Sequence, residues 1–106
     1  MERSEISLHE VRLYSQLLSH PKKWFTNREL ADAVGFSERT VRAHTLRFCG
    51  LGIIDHLEVF PAHKYRISDK ATKRNQAYVQ RLDQAMDAFG LNNGVANDIQ
   101  RKKPIS

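Results

Sequence analysis

Apolar residues along this chain come in short groups broken by charge, and their spacing changes from segment to segment. Leu8, Val11, Leu17 and Leu18, with Tyr14, fall mostly on one face at the helical period. Ser7 precedes them with Glu10 three positions on, the pattern of a capping box in which each side chain bonds the other's free backbone N–H. A first helix over residues 8–20 is expected, stopped before Pro21. Thr26 and Glu29 repeat the capping pattern and start a second helix through Val34, which Gly35 ends. Ser37 caps a third helix that begins at Glu38, runs to about Cys49 and closes near Gly50 or Gly52.

Beyond that point the period shortens. Ile53 to Phe60 is rich in β-branched and apolar residues, Pro61-Ala62-His63 reads as a turn, and Lys64-Tyr65-Arg66-Ile67 alternates polar and apolar. A two-stranded hairpin follows, and Lys22 to Phe25 reads as a further short strand or bridge. Ser68 is placed to cap a last helix from Asp69 to Phe89, with Gly90 as its stop. The fold class is therefore mainly α with a small β-hairpin and a C-terminal amphipathic helix.

Length and composition change this picture only at its edges. A chain of 106 residues with 41% hydrophobic content matches one core. The expected organisation is a first unit over residues 1–68, a helix over 69–90, and a flexible basic tail over 91–106 containing Arg101-Lys102-Lys103. No apolar run approaches the roughly 18 residues of a membrane span, and the first residues lack a secretory pattern, so a cytoplasmic protein without a membrane partner is expected. The lone Cys49 has no internal disulfide partner and reads as a small hydrophobe within the third helix. Net charge is +5, which favours a polyanionic partner without identifying it. Its distribution is more telling: residues 22–47 hold Lys22, Lys23, Arg28, Arg39, Arg42 and Arg47 against Glu29, Asp32 and Glu38.

That basic segment coincides with the helix–turn–helix pattern. Ala31 is small where two helices must approach, Gly35 permits the turn, and Leu30, Val34, Phe36, Val41 and Phe48 supply contacts that fix the angle between them. If Val41 and Phe48 mark the buried side, steps of 100° per residue put Arg39, Ala43 and Leu46 opposite, with Arg42 and Arg47 flanking. Arginine bonds guanine O6 and N7 with both arms, and Ala43 or Leu46 suits a thymine methyl. Ser37, Thr40 and the first-turn N–H groups suit phosphates, and Thr26 and Arg28 at the start of the second helix join the candidate contacts.

The run Glu29-Leu30-Ala31-Asp32-Ala33-Val34-Gly35-Phe36-Ser37, followed by Arg39-Thr40-Val41, resembles the winged helix-turn-helix of MarR- and ArsR-type bacterial regulators. Leu51-Gly52-Ile53-Ile54 resembles the point where such domains enter the wing, and the resemblance covers residues 8–67. It implies a wing that touches the minor groove or backbone, for which His63, Lys64 and Arg66 are the matching residues. Thr45, Leu46, Cys49 and Gly50 depart from the pattern: the first stands where an aliphatic residue is usual, the second where a polar or basic one is common, and the last two replace a charged pair.

The function expected is a sequence-specific binder of double-stranded DNA, a repressor of a small operon, phage or plasmid. The alternatives are a replication or partition factor, which would bind repeated sites at an origin, and a winged-helix protein-interaction module. No cofactor is implied. His9, His20, His44, His56 and His63 show no close cluster of metal-ligand spacing, so no metal site is expected. No glycine-rich phosphate loop or nucleophile elbow is present, and Asp55, His56 and Glu58 are not expected to converge along a strand, so no enzyme is expected. In the last helix, Ala71, Tyr78, Leu82, Ala85 and Phe89 form a stripe interrupted at Asn75 and widened by Val79 and Met86. The expectation is a homodimer on a palindromic operator, with Tyr78, Leu82, Ala85 and Phe89 at its interface. The competing arrangement packs that stripe on the first helix of its own chain.

Overall fold

The computed structural model describes residues 6–91; the expected basic tail falls almost wholly outside them. Helix α1 spans Leu8–Ser19, α2 Asn27–Val34 and α3 Glu38–Leu51. Both capping boxes are formed. Ser7 Oγ accepts from the Glu10 N–H at 3.2 Å while Glu10 Oε1 accepts from the Ser7 N–H at 2.9 Å. Thr26 and Glu29 repeat the exchange at 3.0 and 2.9 Å. Gly35, at φ 82°, ends α2 in the left-handed region that a side chain would strain. The third helix closes at Gly52, also at φ 81°, and Gly50 remains helical.

Strands β1 (Ile54–Leu57) and β2 (Lys64–Ile67) pair antiparallel, with Ile54 opposite Ile67 and His56 opposite Tyr65. The first strand is shorter than its composition suggests, because the ladder ends at the Leu57–Lys64 rung and residues 58–63 form the loop. Phe25 makes the anticipated bridge: it exchanges both backbone hydrogen bonds with Tyr65, at 2.8 and 2.7 Å.

The last helix is corrected in two respects. It is broken into α4 (Ala71–Arg74) and α5 (Gln76–Ala88), and Ser68 does not cap it. Asn75 causes the break by offering the backbone better partners than a continuous helix would. Its side-chain oxygen caps α5 by accepting from the Tyr78 N–H at 3.3 Å, and its amide donates to the Leu51 carbonyl at 3.2 Å. That carbonyl is one of those left unpaired at the end of α3. Ser68 instead accepts from the Lys70 N–H in a turn.

A single core runs through all these elements. Leu13 and Leu17 of α1, Leu30 of α2, Val41 and Phe48 of α3, Leu82 of α5, and Ile53 just before β1 are fully enclosed. The C-terminal helices share that core, so residue 68 marks a junction along the chain between elements packed together. Two residues of the anticipated interface, Tyr78 and Leu82, are corrected accordingly, being enclosed by their own chain. Tyr78 is 4% and Leu82 0% exposed inside their own chain, Ala85 is half-buried, and Phe89 is 46% exposed. The reason lies in α1, whose Val11, Tyr14 and Leu17 form an apolar stripe that needs cover as much as the stripe on α5 does.

Polar contacts lock the same pairing. The Tyr78 hydroxyl donates to buried Glu10 Oε2 at 2.6 Å, and the Tyr14 hydroxyl donates to Asp83 Oδ1 at 3.3 Å. Burial pushes the Glu10 carboxyl up, but the Tyr78 hydroxyl, the Ser7 N–H and Arg47 outweigh it and hold the group below the ordinary carboxylate range. Burial and Glu10 together raise the Tyr78 phenol, which stays protonated as the donor. Among the described residues no helix is long and apolar enough to cross a membrane.

Candidate nucleic-acid interface

Helix α3 presents one face inward and one outward. Val41, Thr45 and Phe48 are buried, while Arg39, Arg42, Ala43, Leu46 and Arg47 are exposed, the arrangement that helical periodicity dictates once Val41 and Phe48 are fixed inside. Leu46 is 62% exposed on that outward face. The buried Thr45 hydroxyl donates to Asn27 Oδ1 at 2.9 Å, with the Arg42 carbonyl at 3.2 Å as a second acceptor. A hydroxyl at this position therefore ties α3 to the first turn of α2, where an aliphatic side chain would only fill space.

Between the start of α2, the outer side of α3 and the wing loop lies an open groove of about 640 Å³. Thr26, Arg28, Arg42, Leu46 and His63, all anticipated contacts, line it together with Asn27, Glu38, Pro61 and Ala62. The chain thus brings three separate segments to one basic concavity. Arg39 and Ala43 continue the same exposed face of α3. Ser37 caps α3 by accepting from the Thr40 N–H at 3.1 Å, and its hydroxyl donates to Thr40 Oγ1 at 3.0 Å, so both hydroxyls sit at the helix N-terminus.

Other anticipated contacts lie elsewhere. Arg47 turns to the far edge of α3, where its guanidinium is 3.6 Å from Glu10. Arg66 is on the outer side of the hairpin, stacked over Trp24 at 4.2 Å and paired with Asp55 at 3.8 Å. Lys64 is half-buried in the last rung of the ladder. His44 packs beside His9 with stacked rings, and burial lowers its imidazole, Glu10 opposing, His9 and Arg47 reinforcing. The Cys49 thiol is raised by burial and by Asp55.

Two features of the wing were not anticipated. Its tip is apolar: Phe60 is 95% exposed, beside the exposed Val59 and Leu57. The expectation of scattered histidines is also corrected, because the hairpin brings His56 and His63 into contact, Nε2 to Nδ1 at 2.8 Å, with Glu58 beside them. The signal was present in the pairing register, which places residues 58 and 63 opposite each other one rung beyond Leu57–Lys64.

Comparison with known proteins bears on the architecture. MepR, a transcription regulator of the Staphylococcus aureus multidrug efflux pump MepA, superposes with a TM-score of 0.56 at 14% identity, covering 94% of this chain and 75% of MepR. PcaV, a transcriptional regulator from Streptomyces coelicolor solved with its natural ligand, gives a TM-score of 0.59 at 15% identity over 99% of this chain and 75% of PcaV. The fold is a winged helix-turn-helix, the architecture these solved structures share. A MepR–DNA complex matches equally, with a TM-score of 0.57 at 14% identity over 94% of this chain and 74% of that one. No protein-family model matches the sequence, and no curated protein matches it at a significant level. Within this winged helix, α2 and α3 are the helix-turn-helix, the β1–β2 hairpin is the wing, and the groove lies between them.

Proposed function

We propose that this protein is a sequence-specific regulator that binds double-stranded DNA, with α3 as the helix that enters the major groove. The observation that carries the reading is the groove itself: Thr26 and Arg28 from α2, Arg42 and Leu46 from α3, and His63 from the wing face one concavity. In this reading Arg39 and Arg42 contact guanine edges, while Ala43 and Leu46 meet thymine methyls. Thr26, Ser37, Thr40 and the N–H groups at two helix N-termini take phosphates, which anchor without selecting sequence. His63, Lys64 and the exposed Phe60 bring the wing to the neighbouring backbone or minor groove, where an apolar side chain can wedge against a base step. Arg47 and Arg66 hold secondary places, since each already has an acidic partner within the chain. The solved MepR–DNA complex, with the same architecture, supports the assignment.

Regulation is by repression, because a compact unit can occlude a promoter without further parts. Two copies on a palindromic site, with reading helices about 34 Å apart, would match one turn of duplex. An interface between copies has to be built from surface left accessible, including Phe89 and Ala85, since Tyr78 and Leu82 are already enclosed.

Selection from a random duplex pool, followed by titration across a salt series, tests the reading. A recovered consensus and a log–log salt slope of magnitude roughly 3 or more are expected, from release of counterions at several phosphates. A flat salt response with no consensus would overturn it.

A further inference from the structure

We propose that the wing loop is a binding site for a divalent transition metal ion of the zinc class, held by His56, Glu58 and His63. The site follows from the hairpin. Side chains at alternate positions share a face, so His56 and Glu58 point the same way, and Glu58 stands opposite His63 when the register is continued one rung. The three ligand atoms all lie within 4.8 Å of one another, and His56 Nε2 and His63 Nδ1 are 2.8 Å apart. Two nitrogens bound to one tetrahedral ion at 2.0–2.1 Å would be roughly 3.3 Å apart. Rotation of exposed side chains supplies that opening without moving the strands.

The donor set chooses the ion. Two imidazoles and one carboxylate suit zinc, copper, nickel or cobalt, whereas calcium and magnesium call for a shell of oxygens. The site is also backed by ordered structure. The His56 ring stacks on Tyr65 at 5.1 Å and 7° between planes, and Tyr65 is buried and bridged to Phe25 by two backbone hydrogen bonds. One ligand is thus oriented before any ion arrives. The remaining coordination position opens to solvent, as at three-ligand zinc sites generally. A bound ion would clamp the two ends of the loop over residues 58–63 and place a dication beside the groove that His63 lines. Cation binding stands apart from the DNA reading, and its test contains no DNA.

The experiment is a calorimetric zinc titration of the full, untagged chain, repeated with cobalt while the visible absorption is followed. One ion per chain is expected, with a Kd on the order of 1 μM, and cobalt should give the intense visible bands of a four-coordinate site. His63→Ala should weaken binding about tenfold or more and abolish those bands, with circular dichroism and Tm unchanged because the side chain is exposed. Glu58→Gln should give a smaller loss. The double variant His9→Ala, His44→Ala removes the other close histidine pair and should bind as the wild type does. Absence of zinc binding by the wild type, or wild-type affinity in both His63→Ala and His56→Ala, would overturn the site and leave a simple imidazole–imidazole hydrogen bond.

Discussion

Helices α3 and α5 carry the same kind of sequence signal, a stripe repeating every three or four residues, yet the fold uses them in opposite ways. In α3 the buried side needs only Val41, Thr45 and Phe48, and the opposite side, with Arg39, Arg42 and Leu46, is left to solvent. In α5 the stripe of Tyr78, Val79, Leu82 and Met86 is consumed within the chain, packed with α1. Periodicity identifies which residues share a face. It does not say what covers that face, because the covering surface lies elsewhere in the chain. For α5 the cover is α1, whose own stripe exposes Leu8 and Leu18 at its edges but encloses Val11, Leu13 and Leu17.

The sharpest way to break this contrast is to place a charge inside the stripe of α5 and another at its exposed end. Leu82→Asp puts a carboxylate at a site with 0% exposure and should cost about 3–5 kcal/mol, enough to unfold a domain of ordinary stability. Phe89→Asp, one helical stripe further on but 46% exposed, should change stability by no more than about 0.5 kcal/mol. Chemical denaturation of the two variants decides it. If Leu82→Asp remained folded and merely became monomeric, α5 would be an intermolecular surface after all.

A smaller effect is expected at the polar lock between the two helices. Glu10→Gln weakens the acceptor of the 2.6 Å bond from Tyr78 and should cost about 1–3 kcal/mol. Its pH dependence has a definite sign. The Glu10 carboxyl is held below its ordinary value in the folded protein, so its contribution is present above the unfolded value of about 4.3 and lost as pH falls through the folded value. Asp83 has the opposite sign, since burial raises it, the Tyr14 hydrogen bond opposing and Asp87 reinforcing. The informative quantity is therefore the difference between wild type and Glu10→Gln in unfolding free energy against pH. That difference should shrink on acidification; a constant difference would mean that Glu10 is not ionised in the fold.

On the other side of the contrast, substitutions on α3 should leave the fold alone and change only recognition. Arg42→Ala is expected to lower affinity for a selected duplex by about 1–3 kcal/mol and to relax base preference, with Tm unchanged. Phe60→Ala at the wing tip should weaken all duplexes by a smaller and more even amount. Quantitative binding on matched and mismatched duplexes separates the two. Full retention of affinity and selectivity by Arg42→Ala and Arg39→Ala would remove α3 from the role of reading helix.

Much of this architecture was legible in local chemistry. Ser7, Thr26 and Ser37 cap the first three helices, and Gly35, Gly52 and Gly90 all take positive φ after a helix. Such signals act over three or four residues, so a sequence displays them directly. The features that escaped are contacts between distant segments. The break at Asn75 depends on the Leu51 carbonyl, 24 residues away, and the docking of α5 depends on Glu10, 68 residues from Tyr78. Within the candidate interface, the outward face of α3 was readable because it needs only one helix and one buried anchor. The places of Arg47 and Arg66 were not, since Glu10, Trp24 and Asp55 capture them from other elements. His56 and His63 were readable only through the exact register of the hairpin.

The finest distinction concerns Thr45, which sits on the buried side of α3 but bonds toward the groove. Its side chain is fully enclosed, and its hydroxyl reaches Asn27 Oδ1 at 2.9 Å. Thr45→Val keeps the volume and removes the donor, leaving a half-buried amide oxygen without that bond. The expected cost is about 1 kcal/mol, which lowers Tm by roughly 4–8 °C in a domain of this size. Asn27→Ala should cost a similar amount for the same reason, since each variant removes one end of one hydrogen bond. The double variant should then cost less than the two added together, with a coupling of about 0.5 kcal/mol or more, because contacting partners are not independent. Additive losses would show that Thr45 contributes through packing alone. In that case the α2–α3 angle, and with it the aim of Arg42 into the groove, would be set by Leu30, Val34 and Phe48 without help from the polar pair.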